Sequence, residues 1–179
     1  VEEVEKFLQG ERAFLIGSSW PDDEEHLCRL MDSDVFKHKC ILAPHEIGEK
    51  HLKSIEEGLS KKALRYSKWI ATNEKPEAEI LIIDNIGMLS NLYQYGDFAY
   101  VGGAFHGSLH NILEPAAFGL PVIFGPQFDK FPEGQTFIDK GIGTSISNYP
   151  ELKDAYWAYN SDESLKKKVA AFVQKNTGS

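Results

Sequence analysis

Several short stretches of this sequence carry residues able to hold an anionic or hydroxylated ligand. Gly17-Ser18-Ser19-Trp20 joins a small residue that permits close approach to two hydroxyls, and it precedes Pro21 and the acids Asp22 to Glu25. Hydroxyls and free N–H groups at a helix start suit phosphate oxygens. The alternative is that Ser19 and Asp22 only cap the turn, and Trp20 is either a stacking surface or a packing ring. In Pro44-His45-Glu46, His45 can bond a carboxylate or phosphate, and Glu46 can orient it or accept from sugar hydroxyls; solvent exposure or capping also accounts for the pair.

The densest set is GGAFHGSLHNILEPAAFGLPVIFGP, residues 102–126. Gly102-Gly103 follows an apolar run, His110-Asn111 stands where a helix is expected to begin, and Glu114 follows one helical turn after His110, so both can reach one ligand face. The Glu114 carboxylate suits a ribose diol, with a local cap or salt bridge as the alternative. Beyond Gly125-Pro126, Gln127 adds polar contacts and Lys130 a balancing positive charge, unless this is an ordinary solvent-facing loop.

Other chemistries are disfavoured. The glycines fit neither the GxGxxG dinucleotide fingerprint nor GxxxxGK[ST], GxSxG is missing, and the six histidines form neither HExxH nor a close His/Cys cluster. No metal and no cofactor is expected.

Alternating short strands and helices must position these loops. The pattern predicts a short opening helix over 1–9, strands at 13–16, 40–43, 67–71, 80–83, 98–101, 122–124 and 144–146, and a polar stretch over 72–79. It predicts helices from Pro21 to about 35–38, over 47–59, from Met88 to Tyr95, over 112–118, 133–139 and 165–174. Segment 149–160, with Tyr156, Trp157 and Tyr159, is left unplaced, its rings covering a core edge or docking against another domain. Strands that read as continuous apolar tetrads imply burial on both faces, hence a three-layer α/β sandwich around a mostly parallel sheet.

A chain of 179 residues and 20.1 kDa should form one domain exposing about 8,700 Å². Its net charge of -8 disfavours a general nucleic-acid surface. Cys28 and Cys40 are too few for a disulfide framework, and the start has neither the basic nor the long apolar region of a signal peptide. Val1 in place of an initiator methionine, and a terminal Thr177-Gly178-Ser179 that reads as frayed or engineered, raise the expectation of one domain cut from a larger protein.

Taken together, GSSWPDDEE at 17–25, APHE at 43–46, DNIGMLSNLYQYGDFAYVGG at 84–103 and HNILEPAAFGLPVIFGP at 110–126 strongly resemble the carboxy-terminal donor-binding domain of bacterial 3-deoxy-D-manno-octulosonic acid (Kdo) transferases. The resemblance implies a Rossmann-like second domain of a GT-B glycosyltransferase, spanning 1–179, with the amino-terminal acceptor domain absent from the chain. It implies CMP-Kdo as donor, bound by Ser18, Ser19, His45, Glu46, Gly103, His110, Asn111 and Glu114, with Trp20, Gln127 and Lys130 in support. It further implies inverting transfer of Kdo to a lipid A precursor at the cytoplasmic face of the bacterial inner membrane, by a glutamate base in the absent domain. The isolated chain is then soluble and inactive in transfer. Gly103-Ala104-Phe105-His106-Gly107 departs from the family's usual GGS, and Phe128-Asp129-Lys130-Phe131 stands where Asn followed by Phe is common. The strand-loop-helix logic alone also fits another GT-B nucleotide-sugar transferase or a noncatalytic nucleotide- or carbohydrate-binding module.

Overall fold

The computed structural model describes residues 1–72 and 76–177. Part of the expected polar stretch, 73–75, and the terminal 178–179 therefore lie outside the described residues.

Opening helix α1 (Glu2–Leu8) leads into β1 (Ala13–Ser19), and α2 (Pro21–Met31) connects to β2 (Lys39–Pro44). Then follow α3 (Glu49–Gly58), β3 (Ala63–Arg65), α4 (Tyr66–Trp69), β4 (Ile80–Ile82) and α5 (Leu89–Leu92), which runs into a 3-10 turn at Tyr93–Tyr95. The second half comprises β5 (Gly96–Val101), α6 (Leu113–Ala117), β6 (Val122–Phe124), α7 (Pro132–Asp139), β7 (Gly143–Ser145), α8 (Tyr149–Ser161) and α9 (Leu165–Thr177). The strands form one seven-stranded sheet in the order β3-β4-β2-β1-β5-β6-β7. Every pairing in it is parallel.

Period-2 alternation within each apolar tetrad feeds two cores. Phe14, Ile16, Cys40, Leu42, Ile80, Ile82, Phe98 and Tyr100 pack on one face with Leu27, Leu30, Leu52 and Ile55 from α2 and α3 and Tyr156 from α8. Ala13, Leu15, Ile41, Ala43, Leu81, Ile83 and Ala99 pack on the other with α1 and α4. A third cluster under β6 gathers α6, α7 and α9. Wholly buried residues such as Leu15 and Ile16 each contribute about 1.5–3 kcal/mol. The accessible surface, 9097 Å², is close to that expected from mass.

Four local differences from the sequence pattern have identifiable causes. Helix α2 stops at Met31 instead of near residues 35–38, because the Asp32 carboxylate accepts from Ser60 N and Lys61 N and draws the chain aside. The strand expected at 67–71 lies at 63–65, where Arg65 is buried and clamped by Glu49 and Glu56. Ser67 instead lies in the helical turn that begins at Tyr66, its N–H donating to Asp84. Segment 149–160 is a helix: the Asn148 side chain accepts from Glu151 N, and Tyr156 packs among Phe14, Phe36 and Phe98. Helix α6 is shorter than 112–118 because Ile112 and Phe118 are its caps, and Gly119 follows with φ 80, in the left-handed region that ends a helix. Both cysteines are free and buried, with burial pushing the Cys28 thiol up to about 12.

Strand order reverses at β1, which has β2 on one side and β5 on the other. In an open parallel sheet, the loops after two such strands diverge to opposite faces and leave a crevice at their carboxyl ends. The serine loop and Gly102-Gly103 stand at that crevice.

Candidate functional site

The two loops meet backbone to backbone. Gly102 N donates to Gly17 O at 2.9 Å, and a Cβ on Gly102 would lie 2.3 Å from Ser18 O. Pairing shifts register between Gly17 and Ser19, and Ser18 takes φ 54, in the left-handed region. That one-residue irregularity decides which serine faces outward.

Asp23 fastens the junction. Its carboxylate accepts from Trp20 N at 2.9 Å, Gly103 N at 3.1 Å and Tyr100 Oη at 2.5 Å, joining the first turn of α2 to β5 and its loop. Burial pushes its pKa up, and the three hydrogen bonds oppose that shift. Sequence reasoning placed Asp23 only in an acidic helix start. The available signal was its position as third residue of a helix opened by Pro21, where a side chain reaches back to the capping N–H.

Ser19 is turned inward. Fully buried, it donates from Oγ to Glu24 Oε2 at 2.7 Å, and His51 Nε2 lies 3.0 Å from the same carboxylate. Burial also raises the Glu24 pKa. The Ser19 hydroxyl is out of reach of any ligand and committed to Glu24, so this is a scaffold rather than an exposed nucleophile. The expectation that Ser19 offers its hydroxyl to a ligand is corrected on this point; its carbonyl instead accepts from His45 N at 2.9 Å and ties in the second loop. Gly103 likewise shapes the site, with φ +102 and its N–H committed to Asp23.

Ser18, Tyr93, His110, Asn111 and Glu114 line one open cleft of about 280 Å³, bordered by Gly87 and Ser90. Asn111 Oδ1 accepts from Leu113 N at 2.8 Å, which fixes the side chain at the start of α6. Glu114 is exposed, and its charge adds to the burial that raises the Tyr93 phenol. Tyr93 and the 87–90 segment were missed because nothing local in the sequence connects them to loops far away along the chain.

Beside this cleft, His45 stacks on Trp20, His110 accepts from the indole, and His106 lies 3.2 Å from Asp22. Burial, then the neighbouring His45 and His106, hold His110 below its ordinary pKa. Glu46 is exposed next to His45. Gln127 and Lys130 lie apart, in a separate hollow of about 460 Å³ with His106, Ser108 and Asp129, where Gln127 donates to Phe105 O at 3.0 Å. Among the described residues no group of His, Cys, Asp or Glu could hold a metal ion, and no helix is long and apolar enough to cross a membrane.

A doubly wound parallel sheet with polar side chains gathered at its reversal point defines a Rossmann-like, GT-B-type α/β domain. The fold matches the C-terminal CMP-Kdo binding domain of WaaA from Acinetobacter baumannii with a TM-score of 0.76 and 22% identity, over 94% of this chain and 90% of that one. No family model matches the chain. It is 36% identical over 116 residues to the 3-deoxy-D-manno-octulosonic acid transferase of Aquifex aeolicus, covering 64% of this chain and 31% of the relative. To the transferase of the same name from Chlamydia muridarum it is 30% identical over 177 residues, 95% of this chain and 39% of the relative. The chain is homologous to the Kdo transferases, a family of catalytic proteins, and spans 31% to 39% of the length of these two curated relatives.

Proposed function

We propose that residues 1–179 are the donor-binding domain of a Kdo transferase and receive CMP-Kdo in the crevice between the ends of β1 and β5. The observation that carries this reading is that Ser18, at the end of β1, and His110, Asn111 and Glu114, from the segment that opens α6, share one cleft although they are far apart along the chain. Homology supplies the donor; the side chains supply a chemical fit. Glu114 accepts hydrogen bonds from the ribose diol, while Ser18, the Asn111 amide and His110 donate to phosphate and Kdo carboxylate oxygens.

In the complete protein, these donors stabilise the charge that develops on CMP as the anomeric bond breaks. A glutamate of the amino-terminal half deprotonates the acceptor hydroxyl of a lipid A precursor, which attacks from the opposite face and inverts the anomeric carbon. The acceptor and the membrane surface are met through that half, at the cytoplasmic face of the inner membrane. Without it, the chain binds donor weakly and transfers nothing.

Calorimetric or NMR titration of this chain with CMP-Kdo tests the reading, with a UDP-sugar as competitor. Binding in the millimolar range is expected, weakened about tenfold or more by Glu114→Ala through loss of hydrogen bonds to a charged acceptor. Equal binding by Glu114→Ala removes this residue from the site. Preference for the UDP-sugar assigns the fold to a different transferase.

A further inference from the structure

The Trp20 indole is surrounded by imidazoles. Its Nε1–H donates to His110 Nε2 at 3.1 Å. The His45 ring stacks on it with centroids 4.2 Å apart and planes 19° from parallel, and His106 meets it edge-on at 4.7 Å. An indole nitrogen donates and never accepts, so Nε2 of His110 must present a lone pair, and in a neutral imidazole the proton then sits on Nδ1. Among the described residues no protein group takes that Nδ1–H. The ring borders the cleft shared by Ser18, Asn111 and Glu114.

Protonating His110 would aim a second N–H at the indole N–H. It would also place a cation 4.8 Å from the His45 ring centroid and near His106, with Asp22 already 3.2 Å from His106. We propose that Trp20 is a positioning residue of the donor cleft: its indole N–H locks His110 as the neutral Nδ1–H tautomer, which donates to an oxygen of the bound sugar nucleotide. Ligand identity rests on the functional reading above; the lock itself does not. Trp20 thus acts through His110, and the cleft recognises an anion with a directed neutral donor where a mobile lysine would supply only charge.

The test uses this chain with 15N-labelled histidine and long-range proton–nitrogen spectra, His110 being assigned from His110→Gln. A protonated Nδ1 and an unprotonated Nε2 are expected at pH 7. Trp20→Phe keeps a ring against His45 but removes the donor; it should move the proton toward Nε2, raise the titration midpoint of His110, and weaken CMP-Kdo binding about fivefold. A protonated Nε2 in the wild-type chain overturns the lock, and so does an unchanged tautomer in folded Trp20→Phe. If Trp20→Phe fails to fold, the wild-type tautomer decides. Absence of CMP-Kdo binding by the wild-type chain sinks the functional reading, whereas the tautomer result stands or falls separately.

Discussion

Replacing Asp23 should loosen the junction on which the cleft depends. In Asp23→Ala, Trp20 N regains water at the half-exposed loop, but Gly103 N and Tyr100 Oη lose their acceptor in a buried setting. Each orphaned buried donor costs about 1–3 kcal/mol, and relief of the carboxylate's own burial offsets part of this, leaving a net loss of about 3 kcal/mol. For a chain of 179 residues, this lowers Tm by about 6–12 °C. Asp23→Asn keeps one oxygen for Trp20 N and Gly103 N and turns its NH2 toward Tyr100, so about 1 kcal/mol is expected. Because burial raises the Asp23 pKa above 3.8, the native state binds the proton more tightly than the unfolded chain. That stability is fully present below 3.8 and is lost as pH rises through the folded value, so the deficit of Asp23→Asn should be larger near pH 4 and narrow toward pH 7. Urea denaturation of the three proteins at both pH values measures this. A cost below about 1 kcal/mol for the alanine variant, or equal costs for alanine and asparagine, would refute the account of Asp23 as the clamp.

The remaining predictions concern other parts of the fold. Asp97, bonded to His38 at 3.0 Å and Lys166 at 2.6 Å, is held down at about 2; its contribution is present above 3.8 and lost as pH falls toward 2. Asp97→Asn should therefore cost about 1–2 kcal/mol at pH 7, after allowance for partial exposure, and the difference should vanish near pH 2 in denaturation curves. Gly102→Ala forces a methyl to within 2.3 Å of backbone at Ser18, so about 2 kcal/mol or more of stability should be lost together with CMP-Kdo binding; wild-type stability in that variant would mean the loops have room to part.

Much of the architecture was legible along the chain. Tetrads such as Ala13 to Ile16 and Ile80 to Ile83 are buried on both faces of a parallel sheet, a pattern that needs no knowledge of distant residues. Gly119 and Pro121 marked where α6 ends, and Ser18, His110, Asn111 and Glu114, singled out as candidates, share one cleft. The strand at 63–65 was obscured because Arg65 reads as polar and is buried only by pairing with Glu49 and Glu56. Segment 149–161 has its aromatic side chains spread around the helix, so no stripe announced its buried face.

Residue types and spacing thus determined the layered α/β class, the loops that carry polar chemistry and the likeness to one transferase family. Only the folded chain decided that Ser18 and Tyr93 line the cleft while Ser19 bonds Glu24, that Gln127 and Lys130 line a different hollow, and that Asp23 joins the loops beside the cleft. The reason is range. Strand and helix patterns arise from neighbours along the chain, whereas the direction of one side chain at the end of β1 depends on a single-residue register shift against β2 and on β5, residues 96–101, being placed beside it.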